Sequence, residues 1–268
     1  LYNIVGNHDA YYKNTNDVNS VDCLLSQYKN VIPVSQPKEY KVGGENILLV
    51  PWICQDNQDQ TFEVLKKSKA KIAMGHLELN GFEAYKGQVM DHGMDSAVFK
   101  KFDLVYSGHY HTRSNDGKIF YLGNPYEMFW NDVDDKRGFH IFDTETHELE
   151  FIENPYTIFE KIYYDDNNYK TFNPLPYAGK IVKVIVRKKS SQANFEKFID
   201  KIDKAGCVDL KVIENFAIND EEVSLTGEEC EDTLTYLNKY IDDSDFDLDK
   251  DIVKNLMREV YREACEME

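Results

Sequence analysis

Three times in this chain an apolar run ends in glycine and is followed at once by side chains able to ligate a metal: NIVGNHD (3–9), KIAMGH (71–76) and LVYSGHYH (104–111). Such a run reads as a strand with a sharp exit, because glycine lacks a Cβ and lets the backbone turn and approach its neighbours closely. In layered α/β folds, ligands collect beyond the carboxyl ends of the strands, where loops emerge. The pattern therefore predicts that three strands carry Asn7 and His8, His76, and His109 with His111 to one edge. Four of the seven histidines fall at these strand ends, which favours a metal centre over four separately satisfied structural histidines. His109 and His111, two residues apart in what reads as an extended segment, are expected to point the same way and to serve one ion or two neighbouring ones. Imidazole plus an Asn carbonyl, with no thiolate, suits Mn, Fe, Zn or Co rather than an electron-transfer or iron–sulfur site. No residue clearly supplies the carboxylate that normally bridges two divalent ions at about 3.5–4 Å.

The surrounding pattern supports an α/β layered domain over residues 1–153. Short β-rich runs at 1–5, 46–53, 71–75, 103–108, 118–123 and 138–143 alternate with helical periodicity at 20–28, 60–70 and 95–102. A Tyr/Asn/Pro-rich stretch at 163–179 reads as a linker with turns. It leads into a strand at 180–188, a helix with Phe195, Phe198, Ile199 and Ile202 on one face, and a strand at 207–216, which together form a small βαβ domain over 154–218. Residues 219–268 read as an acidic linker followed by an amphipathic helix, whose stripe of Ile252, Val253, Leu256, Met257, Val260, Tyr261 and Ala264 must be buried against the chain's own body or a partner subunit.

Charge sharpens the functional reading. A net charge of −17 argues at first sight against a nucleic-acid binder, since phosphate contacts come from basic surfaces. Residues 219–268, however, hold 17 Asp or Glu against 5 Lys or Arg, so the acidity belongs mainly to the C-terminal segment. Five scattered cysteines without a CxxC pair argue against a disulfide framework and against a thiolate metal site. No apolar run approaches the 18 or more residues of a membrane span, and there is no cleavable leader pattern, so the expectation is a soluble chain of a reducing cytoplasm, that of a bacterial host cell if a phage encodes it.

GNHD, an isolated GH and GHxH, in this order, resemble the third, fourth and fifth signature motifs of the calcineurin-like metallophosphoesterases. Pro51-Trp52, GHLELNGF (75–82), the His-Gly at 92–93, SGHYHT (107–112), the YLGNP…RGFHIFDTET stretch and the βαβ unit narrow the resemblance to the SbcD-type DNA nucleases, over essentially the whole chain. It implies a four-layer α/β/β/α sandwich with a βαβ capping domain and a C-terminal helical segment. It implies two divalent ions, Mn first and Mg as the alternative. Asn7, His76 and His109 resemble the ligands to one ion and His111 a ligand to the other; His8 resembles the histidine that approaches the scissile phosphate, with Asp9 orienting it. It further implies phosphodiester hydrolysis on DNA in recombination and repair, a homodimer, and an SbcC-type coiled-coil ATPase docked on the C-terminal helix. His92 and Arg113 are weaker candidates for substrate contact, as is Lys86. His140 and His147 read as structural or exposed, and Trp52 and Trp130 as core.

The family's first two motifs, Asp-x-His and Gly-Asp-x-x-Asp, normally precede GNHD, yet only Leu1–Val5 stand before Gly6. The expectation is an N-terminally incomplete reading frame with the first strands missing. The chain as written should then bind one ion well, hold the second poorly and be inactive. A metallophosphoesterase acting on a phosphoprotein or nucleotide shares every ligand, and a non-catalytic scaffold binding an SbcC-like ATPase is the third alternative. The βαβ appendage and the docking helix speak for the nuclease.

Overall fold

The computed structural model describes residues 1–85, 87–167, 169–214, 237–238, 240–242 and 249–267. They belong to two compact units, Leu1–Met128 with Asp134–Tyr156, and Phe129–Val133 with Thr157–Glu268. Residues 219–236, 239 and 243–248 of the acidic linker expected within 219–268, the end of the 207–216 strand, and Lys86 lie outside the described residues.

The first unit is built on a six-stranded sheet in the order Ser114–Asn115, Ile119–Tyr121, Leu104–Ser107, Ile72–Gly75, Glu45–Val50, Lys38–Val42. Its four central strands are parallel and its two edge strands antiparallel. Each central strand alternates its side chains between two cores, as the period of two requires. Leu48, Val50, Ala73, Val105, Ile119 and Tyr121 meet the helix Gln58–Lys67, which contributes Phe62 and Leu65. Ile47, Leu49, Ile72 and Tyr106 face the other way, onto Ile4 and Val34 and onto Phe142 and Leu149. Those four come from two strand pairs, Tyr2–Ile4 with Ile32–Val34 (parallel) and Gly138–Phe142 with Leu149–Glu153 (antiparallel). The α/β expectation holds. Where a four-layer sandwich has one continuous second sheet, the described residues form these two separate pairs.

Register explains how distant runs can build one site. Val50, Gly75, Ser107 and Tyr121 are aligned across the parallel ladder, so the residues that follow them leave from one edge. His76 N–H donates to the Val50 carbonyl (3.1 Å) and Gly108 N–H to the Gly75 carbonyl (3.0 Å), extending the ladder by one rung. Trp52 N–H donates to the Val5 carbonyl at 2.8 Å, which brings the end of the Tyr2–Ile4 strand to the same edge.

One expectation is corrected here, and one strand is added that the sequence pattern did not show. The helix read at 95–102 is a single 3-10 turn, Ser96–Phe99, capped by the Asp95 carboxylate at Ala97 N–H. Phe99 and Phe102, three apart, are both buried there, a spacing that a 3-10 turn serves as well as an α-helix. The edge strand Lys38–Val42 escapes the hydrophobic pattern because KEYKV is half solvated; the turn that pairs it with Glu45–Val50 takes Gly43 and Gly44 at φ of 59° and 95°, where glycine is unstrained.

The second unit is a parallel three-stranded sheet with Ile181–Val186 at its centre, flanked by Phe159–Tyr164 and Asp209–Glu214. Phe195, Phe198 and Ile202 of the helix Gln192–Lys204 pack on Val182, Val184 and Val186. Phe159–Tyr164 replaces part of what reads as linker; its mixed sequence, FEKIYY, conceals the alternation. Trp130 packs at a tilt against Phe159 (4.9 Å between ring centroids), and the buried Lys183 ammonium lies 4.3 Å from the Trp130 ring centre. Lys250–Met267 forms a helix whose start is capped by Asp249 and tied to Asp242 by Lys254 (2.6 Å). Ile252, Leu256 and Val260, three successive turns of its apolar stripe, are exposed.

Candidate metal centre

Asn7, His76 and His109 converge. His76 Nε2 lies 2.9 Å from Asn7 Oδ1 and 3.3 Å from His109 Nδ1. The glycines that precede these residues act by close approach rather than by an unusual backbone. A Cβ on Gly6 would stand 3.0 Å from the His76 ring, and one on Gly75 would stand 2.8 Å from the Val50 carbonyl oxygen. The left-handed conformation falls instead on His109, at φ 77°, a costly one for a residue with a Cβ, of the kind concentrated at functional sites. That corrects the extended segment expected for GHYH. The chain turns at His109, whose ring meets His76, while the His111 ring lies against Tyr85 at 5.8 Å.

Electrostatics favours lone-pair donors. Burial first, and then the neighbouring imidazoles, push His76 and His109 down to about 4, so both are neutral at physiological pH. His111 and His8 are close enough to contribute to both shifts. His8 is exposed at the rim. Asp9 accepts from Gly6 N–H (2.8 Å) and from the Ser20 hydroxyl (2.9 Å), so its carboxylate braces the loop that carries His8 rather than bonding to the His8 ring.

Do these residues fit a divalent ion? Ligands at about 2.0–2.1 Å from one ion stand roughly 2.9–3.4 Å from each other, and the two separations around His76 Nε2 are of that size. Neutral imidazoles and an amide oxygen are the matching donors. Among the described residues, no three His, Cys, Asp or Glu side chains form such a group on their own; the amide of Asn7 completes it. The remaining candidates stand apart. His92 is mostly exposed and faces Glu78 (3.6 Å) and Asp91 (3.3 Å). The Arg113 guanidinium stacks on Phe151 at 3.7 Å, on the Leu149–Glu153 strand.

Residue patterns alone missed the frame of the site. Trp52, read as core, is half-buried, with its ring 5.2 Å from that of His109 and 6.2 Å from that of His76; Asn16 and Asn57 hold its carbonyl. Behind His76, the Ser107 hydroxyl accepts from Leu77 N–H (3.0 Å), and the Tyr121 hydroxyl accepts from Leu79 N–H and donates to the Leu77 carbonyl. Tyr110 donates to the Leu79 carbonyl, and burial pushes its phenol up to about 12. The buried Arg137, paired with Asp135 at 3.1 Å, donates to the His111 carbonyl. Hydroxyls inside the apolar runs LVYSGHY and IFYLG were the available signal, since a buried hydroxyl must find a partner.

An α/β sheet whose parallel strands end together on a cluster of neutral imidazoles and an Asn amide defines the class: an α/β protein with a candidate metal centre at the carboxyl edge of its sheet. No family model matches the chain. It is 34% identical over 271 residues to exonuclease subunit 1 of Enterobacteria phage T4, an alignment covering 99% of this chain and 77% of the phage protein. The chain belongs to the family of that exonuclease subunit.

Proposed function

We propose that the protein as its gene encodes it is a nuclease subunit that hydrolyses DNA phosphodiesters with divalent ions, Mn first among them, one of which is held at the Asn7–His76–His109 cluster. The observation that carries this reading is the convergence of three metal-type donors on one sheet edge, in a chain that belongs to the family of an exonuclease subunit. When bound, divalent ions supply Lewis acidity toward the phosphate and a nucleophilic water at neutral pH. Asn7, His76 and His109 hold one ion, and His111, set against Tyr85, serves the second. His8, exposed beside the cluster on a loop braced by Asp9, protonates the leaving oxygen or stabilises charge at the phosphate. Trp52 shields the His76 and His109 rings from solvent on one side.

The finer architecture belongs to the same proposal. The first unit is the metallophosphoesterase sandwich and the three-stranded second unit the capping domain. The apolar stripe of Ile252, Leu256 and Val260 docks a coiled-coil ATPase of the SbcC type, in a recombination and repair complex. Support for a partner comes from that exposed stripe and from the relative's being named a subunit. A partner also answers the charge objection, since it can supply the basic surface that a chain of net −17 lacks. Homodimerisation and action in the bacterial cytoplasm complete the reading.

Mn-dependent release of nucleotides from a labelled DNA end, by the protein as its gene encodes it, tests the reading. Wild type should cleave and His8→Ala should lose 10²-fold or more, on the order of a general-acid contribution. Equal rates would remove His8 from its role; no cleavage by wild type, with or without its partner, would remove the nuclease.

A further inference from the structure

Beside the cluster, with Trp52 in its lining, is a cavity of about 250 Å³. Trp52, Ile53, Phe62 and Met94 supply apolar walls, and Gln58 and Glu78 supply the polar groups. Ile53, Phe62 and Met94 also pack on the main core, so those walls are anchored rather than loose. The rim is stitched as well: Met94 N–H donates to the Glu78 carbonyl (2.8 Å) and Asn80 N–H to the Met94 carbonyl (3.1 Å). Gly93, at φ 102°, completes the lining; a Cβ there would come within 3.0 Å of the Glu78 carbonyl oxygen, so the position admits no side chain without strain.

We infer that this cavity is a nucleobase subsite, which takes one unpaired base of the DNA strand whose phosphate lies at the Asn7–His76–His109 cluster. The inference rests on the nuclease reading above and adds to it where a base is held. Three observations fix the chemical class of the occupant. Trp52 is shared, because its ring stands against His109 and His76 and also lines the cavity, so an occupant sits one side chain away from the cluster. Aromatic and thioether walls suit a flat ring, and base–aromatic stacking tolerates every base. The Glu78 carboxylate repels phosphate and accepts from N–H groups, which every base carries on its pairing edge and a sugar phosphate lacks. An unpaired base is required, since a base within a duplex cannot leave the stack without the cost of extruding it.

The test measures affinity in EDTA, where no turnover occurs, for short single-stranded oligonucleotides in which one abasic site is walked along the sequence. The protein as its gene encodes it should lose about tenfold in affinity when the abasic site falls at one particular position and little elsewhere, the worth of one stacked base. Gln58→Trp fills the cavity from an exposed position in the first turn of its helix, where the fold tolerates the change. In that variant the affinity for the intact oligonucleotide should fall by a similar factor, and the positional effect of the abasic site should vanish. Tight binding with no position-dependent loss in wild type overturns the subsite and leaves the nuclease reading standing. The same positional loss persisting in Gln58→Trp also overturns it. Failure to bind any of the oligonucleotides overturns the subsite, while the nuclease reading stands or falls on the cleavage assay.

Discussion

Gly6 and Gly108 stand at equivalent places in two of the three recurring motifs, yet their surroundings assign them different tolerances. A Cβ on Gly6 meets the His76 ring at 3.0 Å, whereas one on Gly108 meets it at 3.4 Å, an ordinary contact. Gly6→Ala should therefore displace His76 and weaken Mn binding by about 10-fold, in the range of outer-shell substitutions. Gly108→Ala should change it by less than about threefold, and calorimetric titration of the two variants separates the outcomes; equal effects would show that His76 is not held by Gly6. At this scale the sequence was informative about donors and silent about their frame. Asn7, His76 and His109 were legible because glycine followed by a polar donor recurs three times. Trp52 and Arg137 were not, since an aromatic or an arginine near a strand end looks the same whether it packs in a core or walls a site.

Among the elements, the segment after His76 illustrates how strands can position a ligand without any regular structure of its own. Leu77 and Leu79 have their backbone groups satisfied by side chains of two neighbouring strands, Ser107 and Tyr121. Tyr121→Phe leaves the buried Leu79 N–H short of a partner and the Leu77 carbonyl with only the longer contact to the Ser107 hydroxyl (3.4 Å), and should cost about 1–3 kcal/mol. Urea unfolding measures that cost directly; a loss within error of zero would mean that water or a backbone shift replaces the hydroxyl. The central strands were legible because residues such as Leu48 and Leu49 fill both faces of a buried sheet, whereas the edge strands and Phe159–Tyr164 were hidden by side chains that alternate with solvent. The turn at His109 lay beyond any periodicity, because a left-handed histidine leaves no mark in the pattern of apolar residues.

Taken as a whole, the molecule has one tryptophan in each compact unit, which lets each be followed separately. Trp130 packs on Phe159 and over Lys183. In a Trp52→Phe background its emission should report unfolding of the second unit alone. Trp130→Ala should lower that unit's stability by about 3 kcal/mol, followed by far-ultraviolet circular dichroism, and Trp130→Phe by much less; equal costs would mean that a phenyl ring cannot replace the indole over Lys183 and would contradict the expectation. The central claim concerns the other unit, where a sheet edge assembled by register brings together donors from residues 7, 76 and 109. Calorimetric titration of Mn into the 268-residue chain tests it most directly. One tight ion, lost in His76→Ala with the melting temperature nearly unchanged, is the result expected; two sites of similar affinity, or one tight site that survives His76→Ala, would contradict the assignment.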